Sequence, residues 1–86
     1  MKWDETKRQG NLEKRGLDFA DIVHFDFDTS HTEIDHRREY GETRFVSTGY
    51  LNERLCVVCW TIRSGELRII SLRKANDRET RAYLAR

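Results

Sequence analysis

The sequence predicts an α+β fold built from two N-terminal helices, an antiparallel four-stranded meander and a closing helix. Three observations predict it. Two apolar, β-branched runs, Leu55 to Ile62 and Leu67 to Leu72, flank Arg63-Ser64-Gly65-Glu66, where glycine can take the positive φ of a tight hairpin. Asn76 can cap a helix beginning at Asp77, with Glu79 in the capping-box position three residues later. Asp4 and Gly16 bracket a polar stretch of helix formers as an N-cap and a left-handed C′ residue would.

Taken in order, the first helix runs from Glu5 to Arg15 and buries little of its own surface. Leu12 and Leu17 fall at C3 and C″, the pair that packs together in a Schellman ending. Asp18 can cap a second, short helix with Phe19, Ile22 and Val23 as its apolar stripe, and Leu17 with Ile22 matches a hydrophobic staple. Asp26 to Ile34 is acidic and weakly patterned, and is expected to be a loop or frayed edge. Asp35 to Tyr40, Thr43 to Leu51 and Arg54 to Ile62 read as strands separated by the short turns Gly41-Glu42 and Asn52-Glu53. The run after Gly65 is the fourth strand. Its period of two places Arg68, Ile70, Leu72 and Lys74 on one face, and Leu67, Ile69, Ser71 and Arg73 on the other. The helices are expected to lie on one face of the sheet, with Lys2 and Trp3 available as an extra edge strand.

At 86 residues the chain is read as a single domain, residues 1–86, with one modest core. Its apolar share is 37% and its charged share 36%, so stability must lean on a few large side chains and the stems of long cations. No run approaches the roughly 20 apolar residues that span a bilayer, and no signal-peptide pattern follows Met1. A cytoplasmic protein is expected. The formal net charge of +1 argues against wholesale coating of nucleic acid, but it hides an asymmetry. Residues 1 to 35 carry five Lys/Arg against nine Asp/Glu, a net of −4, and residues 36 to 86 carry eleven against six, a net of +5. Twelve of the sixteen cations are arginine, whose planar fork suits phosphate or carboxylate.

Three constellations could carry chemistry. Cys56-x-x-Cys59 resembles half a zinc ribbon or a redox pair, but residues three apart on a strand point to opposite faces, which leaves two small buried hydrophobes. His24, Asp26, Asp28, His31 and His36 are metal-ligand types without the spacing of a metal signature, and a solvated acidic loop is the competing reading. Arg63, Arg68, Arg73, Lys74, Arg78 and Arg81, with Tyr50, Trp60 and Tyr83, combine charge for phosphates with rings for unstacked bases, as RNA binding requires. A solvated arginine-rich face is the alternative there.

Trp3-Asp4, Lys7, Asn11, Lys14, Gly16 and Phe19, then Gly41-Glu42-x-Arg44, Gly49, Arg63, and Arg68-Ile69-Ile70-Ser71-x-Arg73-Lys74-Ala75 with Glu79 and Tyr83, resemble the BrnT toxins across nearly the whole chain. One departure is visible: the family usually reads Lys-His-Gly where this chain has Lys14-Arg15-Gly16, so no role of that histidine carries over. The resemblance implies a RelE-like fold, a bacterial ribonuclease toxin that arrests translation, and a cognate ribbon-helix-helix antitoxin, BrnA, through which the complex would reach promoter DNA.

For such an activity no metal or other cofactor is called for, because RNA cuts itself when a 2′-hydroxyl attacks the neighbouring phosphate and the protein neutralises the developing charge. Arg63, Arg68 and Arg73 are the candidates for holding the scissile phosphate. Glu79, Tyr83 or Lys7 would move the proton, and Lys74, Tyr50, Trp60 and Arg81 would contact RNA. The competing function is a module that holds RNA or an acidic peptide without cleaving it.

Overall fold

The computed structural model describes all residues, 1–86. Its strands are Lys2–Trp3 (β1), His31–Ile34 (β2), Arg44–Leu51 (β3), Arg54–Arg63 (β4) and Glu66–Lys74 (β5), and its helices are Glu5–Arg15 (α1) and Asp77–Leu84 (α2). They form an α+β architecture around one mixed sheet of order β1-β5-β4-β3-β2. The meander β2 to β5 is antiparallel, and β1 adds a parallel edge by pairing Lys2 with Arg68 and Trp3 with Ile69.

Local signals hold where a side chain can satisfy its own neighbourhood. Asp4 accepts from the Thr6 and Lys7 amides to start α1, and Gly16 ends it at φ 69° with its N–H on Leu12 O. That ending is the single-bond left-handed form rather than the Schellman form, and Leu12 stays exposed. The capping box at α2 is complete: Asn76 accepts from the Glu79 amide, and Glu79 accepts from the Asn76 amide. Between β4 and β5, Ser64 and Gly65 both take positive φ, the geometry that matches strand twist in a two-residue hairpin.

Four further expectations are corrected. The second helix is a single 3-10 stretch, Phe19–His24, capped by Asp18 as anticipated but too short to be an α-helix. The strand expected at Asp35 to Tyr40 lies earlier, at His31–Ile34, inside the segment read as a loop. Asp35 ends it, because its carboxylate accepts from the Arg37 amide, the Arg37 guanidinium and the Tyr40 hydroxyl, and so folds the backbone away from the ladder. Residues 35–43 are therefore a loop, and Gly41-Glu42 is not a hairpin turn. The helices do not share a face either: α1 and the 3-10 stretch cover one side, while α2 lies on the other, its Tyr83 ring edge-on to Tyr50.

The fourth correction concerns β5. Cys59 pairs with Ser71 but Trp60 pairs with Ile69, so Ile70 is an unopposed bulge residue. The extra residue resets the alternation, and Arg68 and Arg73 emerge on the same face rather than on opposite ones.

The core lies between the sheet and the N-terminal elements. Leu17, Phe19, Ile22 and Phe25 pack against Leu51, Cys56, Val58, Ile69 and Leu72, with Trp3, Phe27 and Trp60 at the margin. Each fully buried large side chain contributes roughly 1.5–3 kcal/mol by leaving water. Gly49 admits the close packing of this layer: a Cβ there would sit 2.9 Å from Phe25 Cζ and 2.9 Å from Ser30 Cβ. With the N-terminal elements stacked on one side, the opposite face of the sheet is left open between α2 and the 35–43 loop.

Candidate functional site: an arginine-lined cleft

On that open face a cleft of about 650 Å³ is floored by Val46, Cys59 and Ser71, neighbours across β3, β4 and β5. Its walls come from elements distant in sequence. Arg15 reaches in from the last turn of α1, His36 and Arg37 from the 35–43 loop, and Arg73 with Glu79 from β5 and α2. Arginines thus enter from three sides.

Most of these charges are clamped. Arg73 Nη1 and Nη2 donate to the two Glu79 oxygens at 2.7 Å each, a bidentate pair that ties α2 to the sheet. Arg37 grips Asp35, whose side chain is 2% exposed. Arg63 donates to both oxygens of Glu42, at 2.7 and 2.8 Å, and Arg44 shares the same carboxylate. These last contacts tie the 35–43 loop to the end of β4. Arg44 also lies over the Tyr40 ring at 4.2 Å, and Arg38 at 5.1 Å.

The residues singled out from sequence are only partly brought together. Arg73 and Glu79 line the cleft. Arg63 and Arg68 line a separate recess of about 460 Å³ with Lys2 and Glu66, at the far end of the same face. In register Arg68 stands opposite Thr61 and Arg73 opposite Val57, four residues along β4, or roughly 13 Å at strand rise. Tyr83 is buried, its hydroxyl donating to Thr29 O. Tyr50 is exposed on the cleft's side of the sheet, but Trp60 is on the other side, stacked on Phe45 with its indole N–H on Ser47 Oγ. Lys7 is exposed on α1, and its charge is felt at the Cys59 thiol. Lys74 and Arg81 are exposed and do not line the cleft.

Cys56 and Cys59 are free, buried and on opposite faces, and burial pushes both thiols up. The histidines and aspartates between His24 and His36 form no group of three that could hold a metal ion.

A family model described as the ribonuclease toxin BrnT of type II toxin-antitoxin systems matches residues 3–79. The chain belongs to the BrnT family. No individually curated protein matches it. Membership makes it a ribonuclease toxin by family, with an antitoxin as its partner. The matched span holds every wall of the cleft, from Arg15 through Glu79. In this BrnT chain Arg15, where the family usually carries histidine, sits in the cleft itself. Sequence reading missed Arg15, Arg37, Ser71 and His36 as site residues. For Arg15 a signal existed, since Lys7, Asn11 and Arg15 recur at one-turn spacing on one face of α1, and Asn11 Oδ1 accepts from the Leu72 amide.

The clamped carboxylates predict a modest loss of stability in acid, since the Arg73 and Arg63 pairs are partly exposed. Arg73 beside Glu79 and Arg63 beside Glu42 each hold a carboxyl down to about 2, from an ordinary 4.5. The Arg37 guanidinium lowers Asp35 as well. A value lowered on folding stabilises fully above the unfolded value and fades as pH falls through the folded one. Urea midpoints should therefore hold from neutral pH down to about 4.5 and drop steadily toward about 2. A midpoint that stays flat over that interval would show these pairs to be energetically idle.

Proposed function

We propose that this chain cleaves RNA in the cleft by attack of a 2′-hydroxyl on the adjacent phosphate, without a catalytic metal ion. Cleavage of message arrests translation in the cytoplasm of the host, and a BrnA-like ribbon-helix-helix antitoxin silences it. The observation that carries this reading is the convergence of Arg15, Arg37 and Arg73 on one cleft of about 650 Å³, a size that takes a nucleotide. Guanidinium groups remain charged at any working pH and match phosphate oxygens in pairs, so they stabilise the extra negative charge of the transition state. The Arg63 and Arg68 recess lies on the same face and serves the flanking strand. Tyr50, exposed on that face, offers a ring for a base.

The experiment is incubation of the purified protein with RNA in the presence of a chelator, followed by mapping of the new ends. Cyclic 2′,3′-phosphate and 5′-hydroxyl ends are expected. Cleavage that needs a divalent ion, or that leaves 3′-hydroxyl ends, would overturn the mechanism. Arg63→Ala should lower the rate only about tenfold, because its fork holds Glu42 and acts through the loop. In cells, expression of the chain alone should stop growth, and co-expression of the antitoxin should restore it.

A second reading draws on the same clamps. The forks of Arg63 and Arg73 already donate to carboxylates in bidentate fashion, so an acidic peptide could be held there without any cleavage. Absence of any new RNA ends, with growth unaffected, would favour it.

A further inference from the structure

Resting on the ribonuclease reading, we propose that His36 transfers the proton in the cleavage step while Arg15 holds the scissile phosphate beside it.

Of the groups expected to move the proton, Lys7 does not line the cleft, and the other two are engaged elsewhere. Glu79 is bound by Arg73 and by the Asn76 amide, and the Tyr83 hydroxyl is bound to Thr29 O. Cys59, in the floor, is a buried thiol. Of the three histidines, His24 ends the 3-10 stretch, and His31 is on β2 with its Nε2 3.0 Å from Glu33. His36 alone lines the arginine cleft. Imidazole is also the side chain best suited to take and return a proton near neutral pH.

The loop backbone that carries His36 is tied down. The backbone on either side is fixed: the Asp35 amide donates to Arg44 O at 2.8 Å, and the Arg37 amide donates to Asp35 Oδ1 at 3.0 Å. Tyr40 and the Arg37 guanidinium close the same knot. Arg15, from α1, is the cleft cation without an acidic partner, whereas Arg37 and Arg73 each grip a carboxylate. Its fork is open to a phosphate. The charged groups that face His36 in the cleft are Arg15, Glu33, Asp35, Arg37, Arg73 and Glu79. On its other side stand Arg38, Glu39, Tyr40 and Glu42.

In the step itself, a His36 ring nitrogen removes the 2′-hydroxyl proton as the 2′-oxygen forms its bond to phosphorus. The bond from phosphorus to the 5′-oxygen breaks, and the imidazolium returns the proton to that leaving oxygen, directly or through one water. Nothing is oxidised or reduced, and no net proton is consumed.

The test is single-turnover cleavage of a short RNA across pH, with RNA binding measured by anisotropy. His36→Gln should slow cleavage about 100-fold, keep the affinity within about twofold, and abolish the acid limb of the rate profile. Arg15→Ala should weaken both rate and binding, with Arg15→Lys restoring only part, since a lysine lacks the paired donors. Both side chains are exposed, and circular dichroism should be unchanged. The proposal fails if His36→Gln and His36→Ala cleave within about threefold of the parent with the same pH profile. It fails too if Arg15→Ala binds and cuts as well as the parent. A parent that makes no cyclic phosphate ends sinks the ribonuclease reading as well, and the two failures are told apart by that control.

Discussion

Replacing Arg73 with alanine is expected to lower RNA cleavage on the order of 10³-fold while leaving the protein folded. Arg73 stands opposite Val57 on β5 and directs its guanidinium into the cleft, where α2 meets the sheet. Glu79 occupies two of its nitrogens, and Nη1 also donates to Lys74 O, so a phosphate must use the remaining donors or displace the carboxylate. The pair is partly exposed, at 38% and 27%, and such pairs add little to stability. Activity and fold should therefore separate. Glu79→Gln sharpens the test, because glutamine can keep the capping box yet surrenders the charge that competes with phosphate. That variant should bind RNA more tightly than the parent and retain cleavage. Cleavage by Arg73→Ala at the parental rate would remove Arg73 from the site.

Phe19→Ala should cost about 3–5 kcal/mol. Phe19 is 1% exposed and sits at the centre of the cluster that joins the 3-10 stretch to the sheet. A chain of 86 residues has a total stability of roughly 4–13 kcal/mol, so this one truncation leaves a marginal fold. Urea unfolding and thermal melts measure it. The side chain lies on the sheet face opposite the arginine cleft, so any loss of cleavage should track the unfolded fraction and recover on cooling. A cost below about 1 kcal/mol would mean that the site collapses and that the core is organised around another residue.

Much of this molecule is legible in the order of its residues, and the reason is that the legible features are local. Asp4, Gly16, Asn76 with Glu79, and Ser64-Gly65 each satisfy backbone groups within a few residues of themselves, so their positions announce helix ends and a hairpin without reference to the rest of the chain. The asymmetry of charge and the likeness to BrnT are likewise properties of the string. The segment from Asp26 to Tyr40 was misplaced because its strand has little apolar pattern of its own: His31–Ile34 is exposed throughout and is defined by pairing with β3, eleven to seventeen residues away. Asp35 then competes with the ladder through its own side chain.

The sequence by itself determined that there would be capped helices, a β4–β5 hairpin, an arginine-rich second half and membership of a ribonuclease toxin family. Tertiary structure alone decided which arginines share a site. The bulge at Ile70 brings Arg68 and Arg73 to one face, Glu42 claims Arg63 from twenty-one residues away, and α1 brings Arg15 to the cleft that His36 and Arg73 also line. Register shifts and the choice of an ion-pair partner are set by the whole packed sheet, because a one-residue slip reverses every side chain and no local preference encodes it.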